Sequence, residues 1–191
     1  MELRDLVKKR RAFRDLAPVE IGSELIRDLA ETASLSASCF NNQPWRFVFV
    51  TDRAVLEKLF GSLSKNNNWA RAASMIVAVV SRRDLDCLVK EREYYLFDTG
   101  MAAAFLILRA TELGLVMHPI AGYDEAKAKE ALGVPGDMRL ITLMICGRHA
   151  DGSGPLLTAE QREIEKQRPE RLPLERVMMP DAFQDEDPKR S

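Results

Sequence analysis

The feature that most constrains the fold is an unbroken apolar run, rich in β-branched side chains, from Met75 to Ser81. Charged residues stand near both of its ends, at Arg71 and Arg82. A strand without a polar face is covered on both of its faces in a folded protein. The run therefore predicts a central strand that is buried inside the molecule.

Helical and strand patterns alternate on either side of this run. Leu25, Leu29 and Ala33, for example, recur on one face of a helix. Helices are predicted over residues 2–9, 22–33, 53–60, 94–114, 125–132 and 159–166, and strands over 45–51, 75–81 and 140–146, with a loop at 65–68. Helices separated by short strands over one core predict an α+β layered fold.

The length of 191 residues suits a single domain with a sizeable core. We expect this domain to span residues 1–180, in which 150–180 form a C-terminal extension. Residues 171–179 are predicted to be an extended arm that carries a short apolar strand at 177–179. Residues 181–191 are predicted to be a disordered tail.

Charge and hydropathy exclude several classes of partner. A net charge of −1 argues against a dedicated nucleic-acid binder. The most apolar stretch, residues 101–117, carries Arg109 and Glu112, which indicates a buried helix and excludes a membrane span. The N-terminus has no apolar signal core. We therefore expect a cytoplasmic protein that binds neither nucleic acid nor membrane.

The chain has three cysteines, Cys39, Cys87 and Cys146, which lie far apart in the sequence. They form no Cys-x-x-Cys pair and no Cys/His ligand spacing. The pattern predicts reduced thiols in a cytosolic setting and no bound metal.

The long predicted helix carries small residues, Gly100 and Ala102 to Ala104, that permit close approach of another helix. Three predicted strands make a small sheet, and the arm is poorly placed to fold back as a compact hairpin. A second copy of the chain would complete such a core. We therefore expect a homodimer.

A basic cluster, Lys8 to Arg14, stands at the end of the first predicted helix. It is typical of a solvated helix C-terminus, where cations are favourable. Alternatively, Arg10, Arg11 and Arg14 converge on a phosphate, which requires the helix to end near Arg11.

A polar loop, Ser36 to Phe47, leads into the first predicted strand. Its side chains are typical of a self-satisfied turn. Alternatively, its amides and hydroxyls bind the polar edge of a flat ligand. Together with the basic cluster, the loop suggests a phosphorylated, heteroaromatic cofactor.

The motifs at Arg10–Arg14 and Asn41–Phe47 resemble those of the nitroreductase family of FMN-dependent oxidoreductases. The pattern of that family opens with Arg-Arg-Ser-x-Arg and continues to Pro-Ser-Ser-x-Asn-x-Gln-Pro-Trp-x-Phe. Further similar segments follow in the family's order and extend the resemblance over about residues 4–180: Asn67–Ala73, Asp98–Ala102, Gly114–Tyr123, Leu132–Pro135 and Cys146–Arg148.

The resemblance implies a mainly antiparallel sheet flanked by helices, in an intertwined homodimer that exchanges C-terminal arms and holds two FMN molecules at its interface. It implies that Arg10, Arg11 and Arg14 hold the phosphate and pyrimidine edge, and that Pro119, Ala121 and Gly122 pass beside the ring. The remaining implied cofactor-binding residues are Ala12, Asn67, Ala37, Ser38, Cys39 and Asn41, the last four from the partner subunit, and Arg171, with Arg168 as a competitor.

Several of these positions depart from the family pattern. Ala12 and Cys39 stand where the family usually has Ser, Ala37 replaces Pro, and Ala121 stands where some members carry Glu. Cys39 is either an activated nucleophile or a small residue in a Ser-sized place, and the absence of a nearby His favours the second. His118 is expected to pack in its loop. The two tryptophans are expected to be core or interface anchors.

By resemblance, hydride passes from NADH or NADPH through flavin N5 to a nitroaromatic, quinone or related oxidant in a ping-pong mechanism. No side chain is assigned as catalytic, and the Gly122 amide is expected near N5.

A flavin-binding or storage protein, or a specialised flavin-dependent enzyme, is one alternative to this function. A non-enzymatic interaction module with a basic N-terminus is another. Residues 82–95 are a candidate substrate cover.

Overall fold

A computed structural model describes residues 2–183 and places an antiparallel sheet between two layers of helices. The helices are α1 (Leu3–Lys9), α2 (Ser23–Ser34), α3 (Arg53–Phe60), α4 (Tyr94–Glu112), α5 (Glu125–Leu132) and α6 (Ala159–Lys166). The strands are β1 (Leu16–Ala17), β2 (Arg46–Val50), β3 (Met75–Ser81), β4 (Leu88–Val89), β5 (Arg92–Glu93), β6 (Val116–Ile120) and β7 (Arg139–His149).

Strand β3 is the predicted central strand, and all of its residues are buried. It pairs antiparallel with β2 on one side and with β7 on the other. Met75, Val77 and Val79 pack in one core cluster with apolar residues of α2 and α4. The alternate residues, among them Ile76 and Ala78, pack in a second cluster with α3 and α5. The predicted α+β layered class is confirmed, and β3 is apolar throughout because helices cover both faces of the sheet.

Strand β7 is longer than the predicted strand over 140–146 because it has more than one partner. Its residues 143–147 pair antiparallel with β6, and its end pairs with β1. The prediction of three strands was therefore wrong. Strand β6 escaped prediction because it contains His118 and Pro119, and a proline is tolerated at the edge of a sheet.

The predicted helix ends agree closely with the structure. Asp52 and Asp124 cap α3 and α5, accepting hydrogen bonds from the Val55 and Lys127 amides at 3.0 and 3.1 Å. Gly133 adopts a left-handed conformation after α5, with φ of 65°. This conformation is favourable for glycine, which explains the sharp stop of α5.

Two local predictions were wrong. Residues 65–68 belong to a 3-10 helix, Lys65–Ala72, and are not an open loop. Residues 177–179 form no strand; instead the Val177 and Met178 amides donate to the Leu174 carbonyl in a local turn.

The predicted disordered tail begins at 181, and its residues 184–191 lie outside the described part of the chain. In residues 2–183, no helix combines the length and the apolar character needed to cross a membrane.

Candidate functional site

A cavity of about 160 Å³ lies where the chain leaves α1 and meets the end of α6. Helix α1 ends at Lys9, and Arg10 already has non-helical backbone angles, which is the condition that the convergence of the arginines requires. The lining combines two segments that are distant in sequence: Arg10, Arg11, Ala12 and Arg14 from the first, and Ile164, Arg168, Pro169 and Arg171 from the second. The fold thus brings five predicted cofactor-binding residues together, along with Arg168.

The charge of this cavity is uncompensated. Burial lowers the pKa of Arg10 below its usual value, and the neighbouring charges of Arg168 and Arg171 lower it further. Among residues 2–183, no cavity arginine forms a salt bridge with a carboxylate. Guanidinium groups that converge without a counter-ion fit a multiply charged anion such as a phosphate.

Two arginines of the cavity are also held by backbone carbonyls. Arg168 donates to the Lys8 carbonyl at 2.6 Å and to the Arg10 carbonyl. Arg11 donates to the Ile164 carbonyl at 2.9 Å and lies over the Phe13 ring. These bonds fix the first segment against the second and so pre-shape the cavity.

A buried histidine joins this arginine segment to strand β6. His118 Nδ1 lies 3.0 Å from the Phe13 carbonyl oxygen, and its ring lies 4.7 Å from the Trp69 ring. Burial lowers the pKa of His118 to about 4, against the opposing effect of the Phe13 bond. His118 is therefore neutral at pH 7 and packs in the core, as does Trp69, in agreement with the sequence interpretation.

The segment after β6 is fixed against the 3-10 helix. Asn67 Nδ2 donates to the Gly122 carbonyl at 2.9 Å, and the Ser64 amide donates to the same oxygen at 3.0 Å. A Cβ atom at Gly122 would lie 2.6 Å from Ser64 Oγ, so a larger residue here would displace the Ser64 side chain. The Gly122 amide donates to no backbone acceptor in residues 2–183. Pro119 and Ala121 beside it are exposed.

A larger cavity, of about 500 Å³, lies on the other side of Ala121. Its wall includes Ala121 and Tyr123 after β6, and Glu93, Tyr95 and Leu96 around the start of α4. The end of the candidate substrate cover, residues 82–95, therefore lies beside the segment expected near the flavin ring.

The polar loop is a tight turn at the N-terminal end of α4. The Cys39 amide donates to Asp98 Oδ2 of α4 at 2.7 Å, and the Gln43 amide donates to Ser38 Oγ at 3.0 Å. Ala37 and Asn41 are exposed. Phe40 and Asn41, with φ of 49° and 58°, lie in the left-handed region, as does Gln43. Non-glycine residues adopt this region only at an energetic cost.

This loop does not reach the arginine cavity within one chain. It contacts α4 at Asp98, whereas Arg11 shares a small cavity with Thr111 near the other end of that helix. At 1.5 Å per residue, these two points of α4 are about 20 Å apart along its axis. The arginine cavity and the polar loop therefore lie near opposite ends of α4.

The expectation of reduced thiols was wrong for two of the three cysteines. Cys39 and Cys87 form a disulfide with a Cα–Cα distance of 6.0 Å across 48 positions, while Cys146 is a free, buried thiol. Cys39 is thus not simply a small residue in a Ser-sized place. Sequence spacing gave no signal, because the pairing depends on how the polar loop and the segment before β4 meet at the start of α4.

Glu165 of α6 was missed by sequence reasoning. It is buried, accepts the Arg14 amide at 2.8 Å and lies 3.1 Å from His149 Nε2. It fixes the backbone beside the cavity without neutralising a guanidinium. Nothing in the polar sequence of α6 distinguished it from its exposed neighbours.

Comparison with known proteins agrees with these features. The model of the Nitroreductase family matches residues 7–148. YdgI of Bacillus subtilis, a candidate NAD(P)H nitroreductase, is 26% identical over 184 aligned positions, covering 77% of this chain and 88% of YdgI. A crystal structure described as an oxidoreductase containing FMN superposes with a TM-score of 0.83 at 25% identity, covering 96% of this chain and 94% of that one. A candidate nitroreductase from Exiguobacterium sibiricum, solved in complex with FMN, has a TM-score of 0.77 at 21% identity and covers 94% of this chain and 97% of its own. The chain belongs to the nitroreductase family.

Proposed function

We propose that this chain is an FMN-dependent oxidoreductase that uses NADH or NADPH to reduce a small oxidant, as a homodimer in the cytoplasm. The observation that carries the proposal is the arginine cavity, in which the Arg10, Arg168 and Arg171 charges converge and form no salt bridge with a carboxylate of residues 2–183. A positively charged cavity of this size accommodates a phosphate better than it accommodates an extended acidic surface.

The residues present fit FMN from its phosphate end to its ring. Arg10, Arg14 and Arg171 would hold the phosphate, while Ala12 would lie beside the pyrimidine edge with Arg11. Arg171 is the better phosphate ligand of the two late arginines, because Arg168 already donates to two carbonyls. Asn67 and the segment Pro119–Gly122 would follow the ring. The Gly122 amide, which donates to no backbone acceptor within residues 2–183, is a donor available to a ring nitrogen.

The polar loop would serve the site of a second copy. Ala37, Ser38, Cys39 and Asn41 belong to this loop, which lies about 20 Å from the arginine cavity along α4. An apolar surface surrounds it, and a second subunit would cover that surface: Leu35, Phe40, Leu96, Phe97 and Phe105 are all exposed. Exposed apolar residues of the arm, Leu172, Leu174, Val177 and Met178, support its exchange between subunits.

FMN, when bound, would supply the redox chemistry by which NAD(P)H reduces a nitroaromatic, quinone or related oxidant in ping-pong order. The chain itself anchors the phosphate through arginines, presents the Gly122 amide and keeps a rigid backbone through the Asn67 bond. No side-chain acid or base is required of it. The 500 Å³ cavity beside Ala121 offers room for a small substrate next to residues 93–96.

Anaerobic reconstitution tests this function. The purified protein should bind FMN with a yellow colour, lose that colour with NADH or NADPH under nitrogen, and regain it with a quinone or nitroaromatic. Binding without bleaching would instead indicate a flavin-storage protein. A protein that takes up no FMN would contradict the proposal and favour an interaction module with a basic N-terminus.

A further inference from the structure

Two strained segments of the chain are joined covalently beside the start of α4. The polar loop carries Phe40, Asn41 and Gln43 at positive φ, and the turn between β4 and β5 carries Lys90 and Glu91 at φ of 49° and 69°. The disulfide between Cys39 and Cys87 connects the first segment to the chain just before β4. Both cysteines are partly buried within a single chain, so neither is enclosed in its core.

Acidic and unpaired polar groups surround the disulfide. An Asp86 carboxylate oxygen and the two sulfur atoms lie within 4.8 Å of one another. Asp86 Oδ1 accepts the Cys87 amide at 2.8 Å, while its buried Oδ2 has no hydrogen-bond donor in the described chain. Asp98 is 2% exposed, and burial, together with the nearby Asp86, raises its pKa. A proton on Asp98 would satisfy Asp86 Oδ2.

We propose that Cys39–Cys87 is a reversible redox-modification site, reduced by a dithiol, whose state determines whether the polar loop is held in its strained conformation. Disulfides of reducing compartments are commonly transient or sensory, in contrast to the permanent bonds of secreted proteins. A partly buried pair that joins two strained turns has the character of the labile class.

The exchange balances with a dithiol as the reductant. One of its thiolates attacks a sulfur of the pair, forming a mixed disulfide and releasing the other cysteine as a thiolate that takes up a proton. The second thiol of the reductant then displaces the remaining cysteine. Two electrons and two protons pass from the dithiol to Cys39 and Cys87, and the reductant leaves as a disulfide.

Reduction removes the strongest restraint on the loop. Among the non-covalent bonds that remain are those from the Cys39 amide to Asp98, from the Gln43 amide to Ser38, and from Asn42 Nδ2 to Asp86 and to Cys87 Sγ. Three residues at positive φ then gain the freedom to relax, and Phe40, which is 91% exposed, contributes little packing within the chain. The loop should therefore become mobile while the sheet stays intact.

Thiol counting and hydrogen exchange test this proposal without reference to any cofactor. After unfolding and alkylation, the oxidised protein should show one thiol, Cys146, and the protein reduced natively with dithiothreitol should show three. Amide exchange at residues 36–43 and 86–93 should become at least about tenfold faster on reduction, with β3 unchanged. The variant Cys39→Ala/Cys87→Ala should exchange like the reduced protein and should not respond to dithiothreitol. Three thiols that diamide cannot oxidise, a bond that resists native reduction, or unchanged exchange would each overturn the proposal.

A second consequence rests on the proposed function. If the loop contributes to FMN binding, reduction should weaken FMN affinity by at least about tenfold, which is roughly one lost hydrogen-bonding contact. An unchanged affinity would contradict the link between the disulfide and FMN binding, while the thiol counts and exchange rates would still test the redox-modification site itself. If neither redox state binds FMN, the proposed function fails, and the thiol counts and exchange rates still test the redox-modification site.

Discussion

The arginine cavity and the polar loop, the two halves of the candidate site, are built in different ways. Cavity residues are held by short bonds to backbone carbonyls, such as Arg11 to Ile164 and Arg168 to Lys8. The polar loop has positive backbone angles, an exposed phenylalanine and a disulfide. One chain thus supplies the lining of the arginine cavity, whereas the conformation of the polar loop depends on a covalent restraint.

Removing arginines should have the largest effect and should affect only the first half. Arg10→Gln with Arg171→Gln should weaken FMN binding by roughly 100-fold or more, because each charge-assisted hydrogen bond contributes about 1.5–3 kcal/mol. Fluorescence titration measures this change. Arg53→Gln, an exposed arginine that pairs with Glu57, is the matched control and should leave the affinity unchanged. Equal effects of both variants on the affinity for FMN would contradict the assignment of the phosphate to the arginine cavity.

Removing the disulfide should have the next largest effect and should affect only the second half. Cys39→Ala/Cys87→Ala should lower the free energy of unfolding by about 2–4 kcal/mol, because the bond restrains a long loop of the unfolded chain. Urea denaturation under oxidising conditions measures this loss. The wild-type protein with dithiothreitol should show the same loss, and the variant should show no further change. A variant as stable as the oxidised protein would mean that the bond does not restrain the fold.

Acid should loosen the junction between the arginine segment and β6. The pKa of His118 is lowered to about 4 by burial, so its contribution to stability is full above its usual value of 6.5 and declines as the pH falls toward 4. Between pH 7 and pH 5 the loss should be about 2 kcal/mol. Urea denaturation across this range measures it. In His118→Gln this part of the pH dependence of the free energy of unfolding should disappear. An identical pH dependence in the variant would mean that a group other than His118 is protonated in this range.

A methyl group at Gly122 should destabilise the contact between the segment after β6 and the 3-10 helix. Gly122→Ala places Cβ against Ser64 Oγ and Asn67 Nδ2, and should cost about 1–3 kcal/mol of stability by overpacking. Gly136→Ala, where a Cβ meets nothing within 4 Å, is the control. Thermal unfolding of both variants measures the difference. Equal melting temperatures would show that the Asn67–Gly122 junction is more plastic than its geometry indicates.

Local signals in the sequence predicted most of the fold. Strand β3 was recognised because continuous apolar character has one common explanation, burial on both faces. Asp52, Asp124 and Gly133 marked helix ends because capping depends on neighbouring backbone groups alone. Strand β6 was missed because its pairing with β7 overrides the weak strand propensity of His118 and Pro119.

In the candidate site, too, local features were predicted from the sequence and contacts between distant segments were not. The arginine cluster was visible because its residues are contiguous and uniform in charge, and the structure adds only that α1 ends where convergence requires. Glu165, Asp98 and the Cys39–Cys87 bond were invisible as partners. Each depends on a contact between segments that are distant in sequence, and no spacing rule encodes such contacts.

Comparing FMN with riboflavin as ligands of the oxidised wild-type protein tests the central claim most directly. The two molecules differ in the phosphate, which is the group assigned to the arginine cavity. Fluorescence titration should give a dissociation constant for FMN at least about 100-fold below that for riboflavin, and the preference should collapse in Arg10→Gln/Arg171→Gln. Equal affinities of the wild-type protein for FMN and riboflavin would contradict the claim that the arginine cavity binds the phosphate.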